Sequence, residues 1–164
     1  MTPENMTNVV YVGNDTYFTS IHSHSAGASY DWVIDKLCSY LKGKAHPLDY
    51  AEELAAAVPA GSDKLFFLPS MFSGNTFYSS SALCGSMVGM KVMQDNGHVI
   101  RAAMEGVGYD LMMGADLFRA EGAMPEQCNL IGGGAHSRLW GQDVYKRQVW
   151  ADTGSGVCVY ISYI

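Results

Sequence analysis

The residues best placed for chemistry are Gly132, Gly133 and Gly134, followed by Ala135, His136, Ser137 and Arg138. Three glycines in a row leave the main chain bare, so a flat ring or a phosphate can lie against peptide groups. Ser137 stands where a helix could begin, as its N-cap, and a helix start offers free N–H groups and about half a positive charge. The combination suits a nucleotide. A tight strand-to-helix connection uses the same residues, and that plainer reading stays open. A second stretch of this kind is Ala26-Gly27-Ala28-Ser29 ahead of Tyr30, Asp31 and Trp32, where Ser29 could cap a helix and small residues let a ligand approach it. Close helix packing is the alternative there. His22 and His24 would share one face of a strand, as in some metal sites, but no third ligand follows nearby and no metal centre is expected. Glu105 is the polar residue to watch in an otherwise apolar stretch, although most helix glutamates are simply solvated.

The elements that must position these residues can be read in order. Leu130 and Ile131 end a buried strand that feeds the triple glycine. Val9 to Val12 and Tyr17 to His22 are β-rich runs around the turn Gly13-Asn14-Asp15, an opening hairpin. Val33, Leu37, Tyr40 and Leu41 form an apolar stripe at helical spacing, closed by Lys42-Gly43-Lys44. Tyr50 to Val58 is a short Ala-rich helix stopped by Pro59 and Gly61, read as a connector. Leu65 to Leu68 is a continuous apolar run of strand length, expected in the core, ended by Pro69 and followed by the loop Ser73-Gly74-Asn75-Thr76. From His98 to Glu121 the stripe Ile100, Ala103, Met104, Val107, Leu111, Ala115 and Phe118 keeps helical spacing, with Gly122 as its stop. Gly106, Gly108 and Gly114 each weaken that helix by about 1 kcal/mol relative to alanine, so something packs closely on them. Its methionines read as core filler. Strands alternating with helices imply an α/β domain.

Composition narrows the function. A chain of 164 residues with 48% hydrophobic content supports one domain with a sizeable core. Ten Lys and Arg and a formal charge of −6 provide no basic patch, which argues against nucleic acid as a partner. No apolar run reaches the roughly 18 to 20 residues that span a bilayer, and Thr2, Pro3, Glu4 and Asn5 do not resemble a leader, so a cytoplasmic protein without membrane partners is expected. Cys38, Cys84, Cys128 and Cys158 lack CxxC pairing and fit reduced, mostly buried thiols.

Four motifs in this order carry a resemblance: Ala26 to Trp32, Leu65 to Pro69 with Ser73-Gly74, Ala102-Ala103-Met104-Glu105-Gly106-Val107, and Gly132 to Trp140. Together they resemble the C-terminal domain of the FGGY carbohydrate kinases, the family of xylulokinase, ribulokinase and glycerol kinase, from about Tyr17 to Gln142. The resemblance implies an actin-like ATPase, ribonuclease H-like α/β domain, incomplete here, spanning residues 1–142 and forming the far wall of an ATP cleft. It implies that Gly134 packs on the adenine and Arg138 lies beside it, with Gly132, Gly133, Ala135 and Ser137 among the nucleotide-binding residues. Gly27 and Asp31 match positions near the phosphates and ribose. The implied reaction transfers the γ-phosphoryl group of ATP, with Mg2+ as the substrate complex, to a sugar or polyol hydroxyl. ATP or ADP and a sugar or polyol are the implied partners, and a homodimer is compatible with the family.

Departures from the family pattern shape what to expect of this chain. The family's N-terminal domain, with its phosphate loop, sugar pocket and aspartate base, is missing, so no residue here takes the catalytic base role and the fragment alone is expected to be inactive. Ser73 to Tyr78 lacks the charged residues, the proline and the Trp-Asp usual in that loop, which favours an alternative, a non-catalytic nucleotide-binding or interaction module. Asp143-Val144-Tyr145-Lys146-Arg147-Gln148 is what a transposon end used in sequencing libraries would encode, so residues 143–164 are expected to be a non-native or frame-shifted tail.

Overall fold

The computed structural model describes residues 9–13, 16–19, 25–71, 82–120 and 133–141. Strands β1 (Val9–Gly13) and β2 (Thr16–Thr19) pair antiparallel as the opening hairpin anticipated, with Val9 opposite Thr19 and a register shift between Tyr11 and Gly13. Helix α1 (Ala26–Trp32) starts earlier than the expected Ser29 cap. Gly27 therefore lies inside its first turn, buried, and not on a bare loop. Ser29 is fully buried within the helix, and its hydroxyl donates to the carbonyl of Pro69 at 2.8 Å, tying α1 to the residue that directly follows the run Leu65 to Leu68.

Past Trp32 the chain runs through a π-turn, Val33–Leu37, and a 3-10 turn, Ser39–Gly43. The Cys38 N–H donates to the Val33 carbonyl five residues back, at 3.0 Å. This wider turn moves the buried face along by one residue. Val33, Ile34, Cys38 and Leu41 enter the core, whereas Leu37 and Tyr40, expected there from a 3.6-residue period, are 40% and 50% exposed. Helix α2 (Pro47–Ala56) begins earlier than the expected Tyr50, because Pro47 has no N–H to lose at a first helical position.

Strand β3 (Phe66–Leu68) pairs antiparallel with β4 (Ser86–Val88), which the sequence did not announce. Its apolar run is only half a core strand. Leu65 and Phe67 are buried, but Phe66 and Leu68 point outward, so alternation overrides the uniform apolar composition. Helix α3 (Asn96–Ala120) is the long helix expected from His98, extended at its start because Asp95 caps it. Asp95 Oδ1 accepts the His98 N–H at 3.2 Å, the side-chain cap of the helix start.

The core gathers around α3. Ile100, Ala103, Met104, Val107, Leu111 and Ala115 are buried against Val33, Leu41, Ala51, Ala55 and Phe67. The close packing inferred for the helix glycines is explicit at Gly106, where an added Cβ would stand 2.1 Å from the Phe67 carbonyl oxygen. Glycine here lets β3 lie directly on the helix. Cys38 is buried, and burial pushes its thiol pKa up, as expected of a structural thiol. Cys84 is exposed. The strand at Leu130-Ile131, the loop Ser73 to Tyr78, His22, His24, Cys128, Cys158 and the tail 143–164 lie outside the described residues.

Candidate functional site

The triple-glycine stretch closes into a 3-10 turn, Gly133–His136, whose Gly134 carbonyl accepts the Ser137 N–H at 3.2 Å. Ser137 then caps the next helical turn as its sequence position suggested. Its hydroxyl oxygen accepts the Trp140 N–H at 3.0 Å and its carbonyl the Gly141 N–H at 3.0 Å. The intervening Leu139 N–H donates to Glu52 Oε1 on α2 at 2.7 Å. The helix start thus has its second and third N–H groups already satisfied, one of them by an anionic carboxylate. That corrects the expectation of free donors at these two positions, since Glu52 and the Ser137 hydroxyl already take them.

Trp140 anchors the turn. It is 2% exposed, its indole N–H donates to the Met104 carbonyl at 3.0 Å, and its ring centroid lies 4.9 Å from that of Tyr30 at an interplanar angle of 45°. Gly134 rests on this indole, so closely that a Cβ would lie 3.3 Å from Cε3. Between the turn and α2 opens a cleft of about 120 Å³. Tyr30, Met104 and Trp140 supply its aromatic and thioether surface, Gly133, His136 and Ser137 one rim, and Leu48, Asp49 and Glu52 the other. A space of this size, apolar at its base with acceptor groups on one edge, can hold a small planar ring.

The residues singled out in sequence fall unevenly around this cleft. Gly133 and Ser137 line it. Gly134 is buried behind it on Trp140, while Ala135 and Arg138 are exposed and are not among its lining residues. Gly132 lies outside the described residues. Gly27 and Asp31 sit on α1 and do not line the cleft, although their neighbour Tyr30 does. Partial burial, and then the nearby Asp35 carboxylate, raise the pKa of Asp31. The contribution of α2 was missed. The signal was present as Leu48, Asp49 and Glu52, which the helical period brings to one side, but that stretch read as a connector because nothing in it resembled a motif.

Glu105 is neither solvated nor part of the cleft. It is 3% exposed, as is Arg101, whose Nε donates to Glu105 Oε1 at 2.7 Å. The carboxylate also accepts the Gly61 N–H at 3.0 and 3.2 Å and the Ser62 hydroxyl at 3.4 Å. Those donors belong to a turn in which Gly61, Ser62, Asp63 and Lys64 all have positive φ, at 88°, 45°, 50° and 71°. Left-handed backbone costs about 1–2 kcal/mol for each residue with a Cβ, so the turn needs such a lock. The outer side of the turn is held by Lys91 Nζ, which donates to the Asp63 carbonyl at 2.7 Å, and by His98, whose Nε2 lies 3.2 Å from Asp63 Oδ2. His98 Nδ1 lies 2.7 Å from Asp95 Oδ1. Its bond to Asp95 and, less strongly, that to Asp63 raise the His98 pKa against the opposing effect of burial. The His98 bond in turn lowers the pKa of Asp95. Among the described residues no three His, Cys, Asp or Glu side chains are grouped to hold a metal ion, and no helix is long and apolar enough to cross a membrane.

Residues 5–144 match the model of the C-terminal domain of the FGGY family of carbohydrate kinases. The xylulose kinase of Bacillus subtilis (strain 168) is 30% identical over 141 residues, 82% of this chain and 27% of that protein. The xylulose kinase of Escherichia coli (strain K12) is 30% identical over 154 residues, 85% of this chain and 31% of that protein. The chain therefore spans only about a quarter to a third of the length of these relatives. The crystal structure of xylulose kinase from Rhodospirillum rubrum superposes with a TM-score of 0.63 at 25% identity, covering 72% of this chain and 23% of that one. Plasmodium falciparum glycerol kinase with ADP superposes at 0.58 over 71% of this chain and 22% of its own, with 19% identity, a likeness of fold alone. The expected incomplete actin-like α/β domain is thereby established.

Proposed function

The chain belongs to the FGGY family of carbohydrate kinases, as a C-terminal domain, and from that premise we propose that it forms the adenine-side wall of the nucleotide cleft in an ATP-dependent sugar or polyol kinase. The observation that supports this reading most is the cleft itself. It lies where the triple-glycine turn meets Tyr30 and Trp140, and its size and apolar base suit a planar base. In this reading Gly133 and Ser137 touch the ring, and Gly134, Ala135 and Arg138 shape the turn around it. Gly27 and Asp31, on α1, lie towards the ribose and phosphates.

Transfer of the γ-phosphoryl group to an alcohol relies on alignment and on neutralising charge as the bond to the leaving phosphate loosens. Mg2+ would arrive as part of the ATP complex. This chain's own contribution is to hold one end of the nucleotide. The alcohol-activating base and the sugar pocket would come from a partner half of the enzyme, and xylulose is the first sugar to test, since xylulose kinases recur among the relatives. A cytoplasmic location and a homodimer belong to the same proposal.

Calorimetric titration of the 164-residue chain with ADP and ATP tests the nucleotide site. We expect binding in the millimolar range or tighter, lost in Leu48→Trp. Leu48 is 54% exposed on the rim of the cleft, so the larger ring can fill the cavity without entering the core. Absence of binding by the folded chain would sink the reading. The altered loop Ser73 to Tyr78 favours the second reading, a non-catalytic binding module. ADP binding without ATP-dependent phosphorylation of xylulose, other ketoses or polyols, in a protein of the relatives' full length carrying this domain, would establish it.

A further inference from the structure

The side of the cleft facing the glycine turn is acidic. Asp49 and Glu52 stand one helical turn apart on α2, and the described lining residues include no Lys or Arg. Glu52 is half-buried there and already gives Oε1 to the Leu139 N–H at 2.7 Å, which fixes the carboxylate in place. A carboxylate offers about four acceptor sites, so one such bond leaves acceptor capacity in a cleft that is lined by Asp49, His136 and Ser137 as well as by ring, thioether and bare backbone. Negative charge at this position also opposes a phosphate, and the helix start that would have attracted one is taken by the same side chain.

We infer that Glu52 is a specificity-determining residue of the cleft: it accepts a hydrogen bond from an N–H donor on the ring that enters and turns the anionic end of the ligand away. This rests on the reading of the cleft as a nucleotide-base site. The ligand class it selects is a neutral heterocycle carrying an amino or ring N–H, held against Gly133 and Trp140 with its phosphates outside. Glu52 thereby couples two tasks, seating the glycine turn on α2 and reading the ring that the turn admits.

The test is an NMR titration of the 164-residue chain at pH 8 with adenosine and with purine riboside, which has C–H where adenosine has its 6-amino group. The indole N–H resonances serve as the signal. A hydrogen bond to a charged acceptor predicts that adenosine binds about tenfold more tightly or better. Glu52→Gln keeps an oxygen for the Leu139 N–H but removes the charge and one acceptor, and should bring the ratio close to one. A purely structural role for Glu52 would weaken both nucleosides by the same factor and leave the ratio unchanged, which would overturn the inference. Glu52→Asp, which keeps the charge and draws it back from the ring, is the second variant and should lower the ratio part way. A wild-type ratio near one, alongside ADP binding that Leu48→Trp abolishes, would also overturn the role of Glu52 while the nucleotide site stands. Binding of neither nucleoside nor ADP would remove both.

Discussion

Two turns are pinned to adjacent residues of α3 by opposite means. Gly61 to Lys64 is held by the Glu105 carboxylate, itself buried and paired with Arg101, and three of its residues carry side chains in left-handed backbone. Gly133 to His136 is held one residue earlier, through the Trp140 indole on the Met104 carbonyl, and needs no charge at that contact. The first turn is held on both sides by side chains, Glu105 on the inner side and Lys91 and His98 on the outer. The second is mostly backbone, so a cavity remains beside it. The buried ion pair maintains a strained connection, while the cleft opens elsewhere, between the second turn and the acidic side of α2.

The comparison predicts how unequally the two turns respond to damage. Glu105→Ala should lower stability most, by about 3–5 kcal/mol, because Arg101 would be left buried without its partner and the Gly61 and Ser62 donors without an acceptor. Urea unfolding measures it, and a loss below about 1 kcal/mol would show that the left-handed turn holds without its lock. Gly106→Ala comes next. Alanine usually adds about 1 kcal/mol in a helix, but here its Cβ would meet the Phe67 carbonyl, so a net loss of about 1–3 kcal/mol is expected. A gain in the unfolding midpoint would mean that β3 moves off α3 at little cost.

Ser137→Ala should cost only about 1 kcal/mol, the value of one N-cap, and should weaken ADP binding more noticeably than it lowers the unfolding midpoint. Equal and small effects on both would detach the cap from the cleft. The smallest effect is a dependence on pH at the outer lock of the first turn. Because the folded pKa of His98 is raised, its contribution is complete below the ordinary histidine value of 6.5 and is lost as pH rises through the raised value. The Asp95 pKa is lowered, so its contribution is present above the ordinary 3.8 and disappears as pH falls through the lowered value. Stability from this pair should therefore be greatest between about pH 4 and 6.5. Unfolding midpoints from below that range to above it, compared with His98→Gln, check it; identical profiles would show that the pair contributes nothing.

Much of the architecture was legible because local rules agreed with one another. The hairpin around Gly13-Asn14-Asp15, the apolar stripe of α3 and the cap at Ser137 each follow from spacing and turn chemistry within a few residues, and the order of four motifs was enough to identify the family. What failed to show were effects set at a distance. A single π-turn after Trp32 moved the buried face from Leu37 and Tyr40 to Ile34 and Cys38. Antiparallel pairing with β4 turned a uniformly apolar run into an alternating one.

The same division holds at the cleft. Glycines 132–134 and Ser137 determined by themselves that the backbone would be bare and then capped, since both properties belong to a residue and its immediate neighbours. Only the tertiary structure decided that α2 faces this turn, that Glu52 rather than solvent or a phosphate takes the Leu139 N–H, and that Glu105 locks a strained turn instead of meeting water. Each of these depends on which segments meet across 44 to 87 residues of chain. Periodicity can say which side of a helix is buried, but not which partner the fold brings to it.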